Sequence, residues 1–220
     1  MGGFNILIAV AFVAIAAGVC WFVMLKARER RYNKLNQLVQ QGDREMFFKE
    51  LESPSAKAVL SLYAREYLRL QMLAKIGSDK DVRQQTNILL QMQLKLSQRQ
   101  QVLTACFEIL ARRGDVKHCK RVLKEIEASL PEASSAPYRL YFDTALERKG
   151  IHQAELEEKL AGFKNSRAHR TRGYLEYLLS IAYRANGNTA RARELMSFAA
   201  ADYGVQEDEL ERSVDIALYV

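Results

Sequence analysis

The chain has 220 residues, enough for an ordinary domain with a real core. Apolar residues make up 49% and charged residues 27%, which excludes both a disordered chain and one embedded wholly in lipid. The formal charge of +7 is spread unevenly, and its placement says more than its size.

The first element is Ile6 to Leu25, ILIAVAFVAIAAGVCWFVML, which carries no charge and no side-chain amide. A helix of this length, rising about 1.5 Å per residue, spans about 30 Å, the thickness of a bilayer's hydrocarbon. A cleaved signal peptide would want a basic start and a shorter apolar run, and neither is present. An uncleaved single-pass transmembrane anchor over residues 1–26 is therefore expected. Lys26, Arg28, Arg30, Arg31 and Lys34 follow at once against Glu29 alone, a local charge of +4. The positive-inside rule then puts the N-terminus outside and residues 27–220 in the cytoplasm. The five basic side chains are also candidates for contact with anionic head groups. No Gly or Pro interrupts Lys26 to Gln41, so the anchor is expected to run on as a stiff stalk.

Beyond residue 26, Ala, Leu, Glu, Lys, Gln and Arg dominate, and the whole chain has three prolines. These are helix formers, so the fold is expected to be all-α. Helical runs end repeatedly at a glycine: Gly42, Gly77, Gly114, Gly150 and Gly187, at intervals of 35, 37, 36 and 37. Glycine ends a helix because φ > 0 costs it little. A fixed period in the range of 20–50 residues is the mark of a solenoid, whose helix pairs bury their apolar faces only by stacking. The expected helices are 27–41 and 43–52, 57–76 and 79–93, 96–113 and 115–128, 137–149 and 152–163, and 168–186 and 188–202. Ser129 to Ala136 is the longest loop signal, so a bend is expected there. Over 206–218, Leu210, Val214 and Leu218 recur at i, i+4 and i+8 behind an acidic first turn, as in a helix capping the end of a stack.

The fifth unit is the most regular. Leu179, Ala182 and Tyr183 precede Gly187, and Ala192 and Ala199 follow it. In the third, Cys106 and Leu110 precede Gly114, and Cys119, Ile126 and Pro131 follow. This pattern resembles the tetratricopeptide repeat (TPR) family, in which small residues let paired helices approach closely. The first unit departs from it with Phe47 at a small position, the second with Arg69 at an apolar one, and the fourth with Glu155 at a small one and Ala154 a step early. The expectation is a TPR-like α-solenoid of about five helix-turn-helix repeats behind the anchor.

The resemblance implies a concave groove, lined by the first helix of each pair, that binds a protein or peptide partner. Counting back from each glycine, its lining would be Tyr67 and Gln71; Gln101, Thr104 and Glu108; Leu140, Tyr141, Thr144 and Glu147; and Tyr174, Tyr177, Ile181 and Arg184. Each tyrosine has a competing reading as packing between repeats. The family's set of Lys, Asn and Arg for gripping a carboxylate is absent, which disfavours capture of an acidic tail. Two basic clusters, Arg112, Arg113, Lys117, Lys120, Arg121 and Lys124, and Lys164, Arg167, Arg170 and Arg172, read first as solvated faces. Contact with anionic lipid or an acidic partner ranks second, and nucleic acid third.

No P-loop, GxGxxG or GxSxG is present, and His118, His152 and His169 lie in different units without metal-ligand spacing. Catalysis, metal and cofactor are therefore not expected. Cys20, Cys106 and Cys119 form no disulfide framework and fit a reducing compartment, the expected role being that of small apolar side chains. The reading is a membrane-anchored, non-enzymatic adaptor, with a bacterial plasma membrane as the preferred setting and a mitochondrial outer membrane open. The alternative is a structural subunit of a membrane-surface assembly, acting through its convex basic face or by self-association.

Overall fold

The computed structural model describes residues 2–163 and 167–214, with side chains from Ile15 onward. Among the described residues there are twelve α-helices, one π turn and no strand. The chain divides into two compact units, Met1–Leu94 and Lys95–Val220.

The first unit holds α1 (Gly2–Gln41), α2 (Arg44–Leu51), α3 (Pro54–Val59), α4 (Leu62–Ile76) and α5 (Asp79–Gln91). As expected, α1 is one unbroken helix; at 1.5 Å per residue it is about 60 Å long. Its C-terminal turns supply Leu35, Leu38 and Val39 to a core closed by Phe47 and Leu51 of α2, Ala56 of α3, and Leu68 and Met72 of α4. Phe47, at a position where the repeat pattern wants a small residue, is fully buried and meets Phe48 edge-on. Among the described residues no helix is long and apolar enough to cross a membrane. The expected span Ile6–Leu25 lies partly outside the described side chains, which begin at Ile15.

The helix expected over 57–76 is two helices. Leu60 is extended (ψ 132°) and buried, and the Ser61 side chain caps α4 by accepting from the Ala64 N–H. The helix signal continued through this point, but a cap and a buried extended leucine together end one helix and start another. Arg69 is tolerated at its apolar position because Glu66 accepts from it at 2.8 Å, Gln85 of α5 donates to the same Glu66 oxygen at 2.8 Å, and Glu52 pairs with its other nitrogen.

The second unit holds α6 (Leu96–Arg112), α7 (Val116–Ser129), α8 (Glu132–Tyr141), a π turn (Phe142–Leu146), α9 (Gln153–Phe163), α10 (His169–Ala185), α11 (Thr189–Tyr203) and α12 (Glu207–Ser213). The loop expected over Ser129 to Ala136 is mostly helix. Only Leu130 and Pro131 are extended, and the Pro131 carbonyl accepts from Ser134 and Ser135 to start α8. Ala, Ser and Glu after a proline are a helix's first turn as readily as a loop. The helix expected to reach 149 ends at the π turn instead, where Glu147 N–H bonds to the Phe142 carbonyl.

The glycine ladder has two physical origins. Gly42, Gly114 and Gly187 are left-handed, with φ of 73°, 66° and 85°. In each, the glycine N–H bonds to the carbonyl three residues back and the next N–H to the carbonyl five back, a Schellman closure. The next residue, Asp43, Asp115 or Asn188, then caps the following helix by accepting from Met46, His118 or Arg191 N–H. Gly77 and Gly150 are not left-handed; near the latter it is Arg148 that is, with φ 54°. Both are crowded instead: a Cβ on Gly77 would lie 2.7 Å from the Leu73 carbonyl, and one on Gly150 2.0 Å from Asn186 Oδ1, so that the Asn186 amide would have to move. Successive turns also touch. Asn186 Nδ2 donates to the Gly150 carbonyl at 3.1 Å in the second unit, and Lys75 donates to the Gln40 carbonyl in the first.

The α10–α11 pair is the tightest, with Ala182, Ala192 and Ala199 fully buried along it. Gly173 belongs to the same contact, since a Cβ there would stand 2.9 Å from both Asp202 Cβ and the Tyr203 ring. Gly162 in α9 meets nothing within 4 Å. Chemical denaturation of single variants is expected to give opposite signs. Gly162→Ala gains about 0.5–1 kcal/mol from helix propensity. Gly173→Ala loses about 1 kcal/mol net, as overpacking exceeds the same gain. Gly187→Ala loses about 1–2 kcal/mol from its left-handed backbone.

Candidate functional site

The residues expected to line a concave groove fall into three groups. In the first unit Tyr67 and Gln71 are half-buried on α4, with the Tyr67 ring 5.8 Å from that of Tyr63. In the second unit Gln101 and Arg184 are exposed, while Thr104, Glu108, Glu147 and Ile181 are half-buried. Leu140, Tyr141, Thr144, Tyr174 and Tyr177 are core side chains, with Thr144 at 0% exposure, so the structure corrects their assignment as open groove lining. The Tyr141 and Tyr138 rings pack edge-on against Phe107. Burial, and then the Glu211 carboxylate, pushes the Tyr141 hydroxyl up to about 12, as expected of a phenol kept neutral in a core.

α12 was expected only to close the end of the stack, but it also comes beside the face of α10 that bears Tyr177, Ile181 and Arg184. Glu207, Asp208 and Glu211 share the walls of a small cavity with those three residues. Arg112, at the end of α6, donates to the Arg212 carbonyl at 3.0 Å. Leu210 and Val214 are buried as the spacing required; Leu218 lies outside the described residues.

The basic clusters are only partly free. Arg31 and Lys34 both pair with Glu50 on α2, and Lys26 pairs with Glu29 at 2.8 Å, while Arg28 and Arg30 are exposed. Lys120 reaches Glu147 at 3.1 Å. Lys164 lies outside the described residues, and Arg172 is half-buried and paired with Asp202. Each histidine sits on a carboxylate: His118 on Asp115, His152 between Asp143 and Glu155, and His169 on Asp202. Among the described residues no group of three or more His, Cys, Asp or Glu is placed to hold a metal. Cys106 and Cys119 are buried as expected, whereas Cys20, expected to be buried with them, is exposed on α1; burial pushes the Cys119 thiol up to about 12.

One concavity in the second unit was not singled out from the sequence. It is a cleft of about 650 Å³ between α9 and α11, floored by α10. Its apolar walls are Leu160, Ala161, Leu179, Leu195, Phe198 and Ala201; its polar groups are Glu157, Arg172, Glu176, Tyr183, Arg191 and Asp202. Most of these are already matched. Arg172 donates to Asp202 through Nε at 2.6 Å and through Nη2. Burial works against the Asp202 charge, but hydrogen bonds from Arg172 and His169 outweigh it and hold its pKa below the usual value. Glu157 accepts from the Tyr183 hydroxyl and from Gln153, which lowers its pKa, and Arg191 pairs with Glu194.

Glu176 is different. It is 7% exposed, its Oε1 is 4.0 Å from Arg172 Nε, and its buried Oε2 accepts no hydrogen bond. Burial, reinforced by the Asp202 charge and opposed by Arg172 and Arg191, pushes its carboxyl up to about 7. The available signal was a lone carboxylate in a run, Gly173 to Ser180, of which every residue is buried. A side chain that must interrupt such a run is a candidate for a specific role. Chemically, the cleft offers apolar walls around one carboxylate that Arg172 meets only at 4.0 Å and to which no hydrogen bond is given at Oε2. No family model matches the chain, and neither a curated protein nor a solved structure does.

The pH dependence of stability should carry Glu176's signature. Its folded pKa is raised above an unfolded value of 4.5, so ionisation opposes folding, and stability is lost as pH rises from about 4.5 to about 7. Glu176→Gln removes that loss. In urea melts the variant's advantage over the parent is expected to grow by about 1–3 kcal/mol from pH 4 to pH 8 and to level off above it. An advantage that does not change with pH would mean the carboxyl ionises as it would in water.

Proposed function

We propose that this chain is a membrane-anchored, TPR-like adaptor that takes a protein or peptide partner in its second unit. The observation that carries the reading is α1. Its first half exposes Ile15, Val19, Trp21, Phe22, Val23, Met24 and Leu25, while its second half is part of the first unit's core. A helix that is apolar all round needs an apolar surrounding, and lipid fits a stretch bounded by a cationic segment. Because one helix serves both parts, the first unit is held to the bilayer by a rigid rod. Arg28 and Arg30 then stand at the height of the head groups, and the domain faces the cytoplasm, a bacterial plasma membrane being the preferred setting.

The TPR-like part of the reading is supported by the turns. Three glycines close helices in the same way, the next residue caps the next helix, and turns one period apart bond to each other. The partner part rests on the α9–α11 cleft, since α12 narrows the expected groove face of α10 to a small cavity. No catalytic role is assigned to the cleft.

Two measurements test this. The full chain is expected to stay with membranes after alkaline extraction, whereas Val19→Arg combined with Ala16→Arg, each costing about 2.5–3.5 kcal/mol at mid-span, should move it to the soluble fraction. A soluble parent chain would end the anchor reading. A photoreactive phenylalanine at position 198, in the half-exposed rim of the cleft, is expected to capture a discrete partner in native membranes. Capture from position 117 on α7 and not from 198 would favour the structural subunit acting through its basic face.

A further inference from the structure

We propose that the α9–α11 cleft recognises a basic side chain, arginine or lysine, flanked by apolar residues in a partner segment. Glu176 takes the charge, and Leu160, Leu179, Leu195 and Phe198 cover the apolar flanks. The inference rests on the adaptor reading and names the chemistry of its partner.

The argument is one of matching. The cleft holds three carboxylates, Glu157, Glu176 and Asp202, against two guanidinium groups, Arg172 and Arg191, a net charge of −1. Asp202 is saturated by Arg172 and His169, Glu157 by Tyr183 and Gln153, and Arg191 is engaged by Glu194. The least matched carboxylate is that of Glu176, 7% exposed in the floor of the cleft, whose Oε2 is buried and accepts no hydrogen bond. Arg172 stands 4.0 Å from the other oxygen and already gives two N–H groups to Asp202, so it does not serve Glu176 as a full partner. An occupant that completes the site brings a hydrogen-bond donor or a positive charge to Glu176. A cation does this and offsets the charge as well, whereas a neutral donor leaves a desolvated charge behind. An anion would meet three carboxylates.

Size and walls point the same way. About 650 Å³ is within the range of sites that enclose a side chain with its neighbours, and it is far larger than a bare metal ion requires. The apolar walls suit the alkyl stem of arginine or lysine and a leucine-sized neighbour on either side. Phe198, 48% exposed at the rim, is placed to close over the bound segment.

The groups facing Glu176 are Arg172 from its own helix, Arg191 and Asp202 from α11, and Glu157 from α9. With its carboxyl near 7, cation binding draws on the ionised form, so affinity is expected to fall about tenfold from pH 8 to pH 6. His169 is bonded to Asp202 at this end of the cleft, and the Glu176→Gln variant separates its contribution from that of Glu176.

The test uses the full chain in nanodiscs of neutral lipid and a fluorescent pentapeptide, acetyl-Ala-Leu-Arg-Leu-Ala-amide, beside its twin with citrulline in place of arginine. Citrulline keeps the shape and removes the charge. The arginine peptide is expected to bind at least about tenfold tighter at pH 8, to lose most of that advantage by pH 6, and to lose all of it in Glu176→Gln. Circular dichroism checks that this variant is folded. Phe198→Ala, a second variant on an exposed position, should weaken both peptides alike and leave their ratio intact. Equal affinities, no binding of either peptide, or an advantage that survives Glu176→Gln each overturn the proposal. If position 198 captures a partner in membranes while the peptides are not distinguished, the adaptor reading stands and this inference falls. If the peptides are distinguished and nothing is captured, the site stands and the adaptor reading falls.

Discussion

A helix can be turned straight back on its predecessor only if its last carbonyls and the next helix's first N–H groups are all satisfied within a few residues. Here a two-residue unit, glycine followed by Asp or Asn, does both. At Gly42, Gly114 and Gly187 the glycine enters the left-handed region and closes the finished helix, and Asp43, Asp115 or Asn188 opens the next. With so little chain between them the paired helices lie close, and side chains at the contact must be small. That is why Ala182, Ala192 and Ala199 are fully buried and why Gly173 has no room for a methyl group. The tight turn thus dictates the packing, and the packing dictates the residues.

The same constraint shapes the cleft. α10 is held hard against α11 along its small residues, while α9 contributes only Leu156 as a buried side chain and meets α10 through polar contacts such as Tyr183 to Glu157. The space left between α9 and α11 exposes the floor of α10 to whatever enters it. A carboxylate in that floor is desolvated by the helices that pack tightly and unmatched because the neighbouring cation is committed to Asp202. The raised pKa of Glu176 and the opposite displacement of Asp202 are two sides of one arrangement. Arg172 can fully satisfy one carboxylate, and geometry gives it to Asp202.

α12 has the opposite effect on the other face of α10. Beside Tyr177, Ile181 and Arg184 it narrows a face with the spacing of an open groove to a small cavity, with Tyr177 buried, Ile181 half-buried and Arg184 exposed. The tyrosines there become large core residues with neutral hydroxyls. Helical spacing identifies which side chains share a face; it carries no information about which later segment comes to lie on that face.

The sequence by itself determined the helical class, the register of most helices and the places where the chain reverses, because propensity, caps and glycine are local properties and act wherever they occur. It also determined the continuity of α1 and the burial of Cys106 and Cys119. The division of a helix at Ser61, the helical start after Pro131 and the crowding at Gly77 rest on partners within four residues, where the sequence permitted more than one reading. Tertiary structure alone decided that Gly150 stands against the Asn186 side chain and that Arg172 is spent on Asp202 rather than on Glu176. These two depend on partners 36 and 30 residues away, which no local pattern encodes.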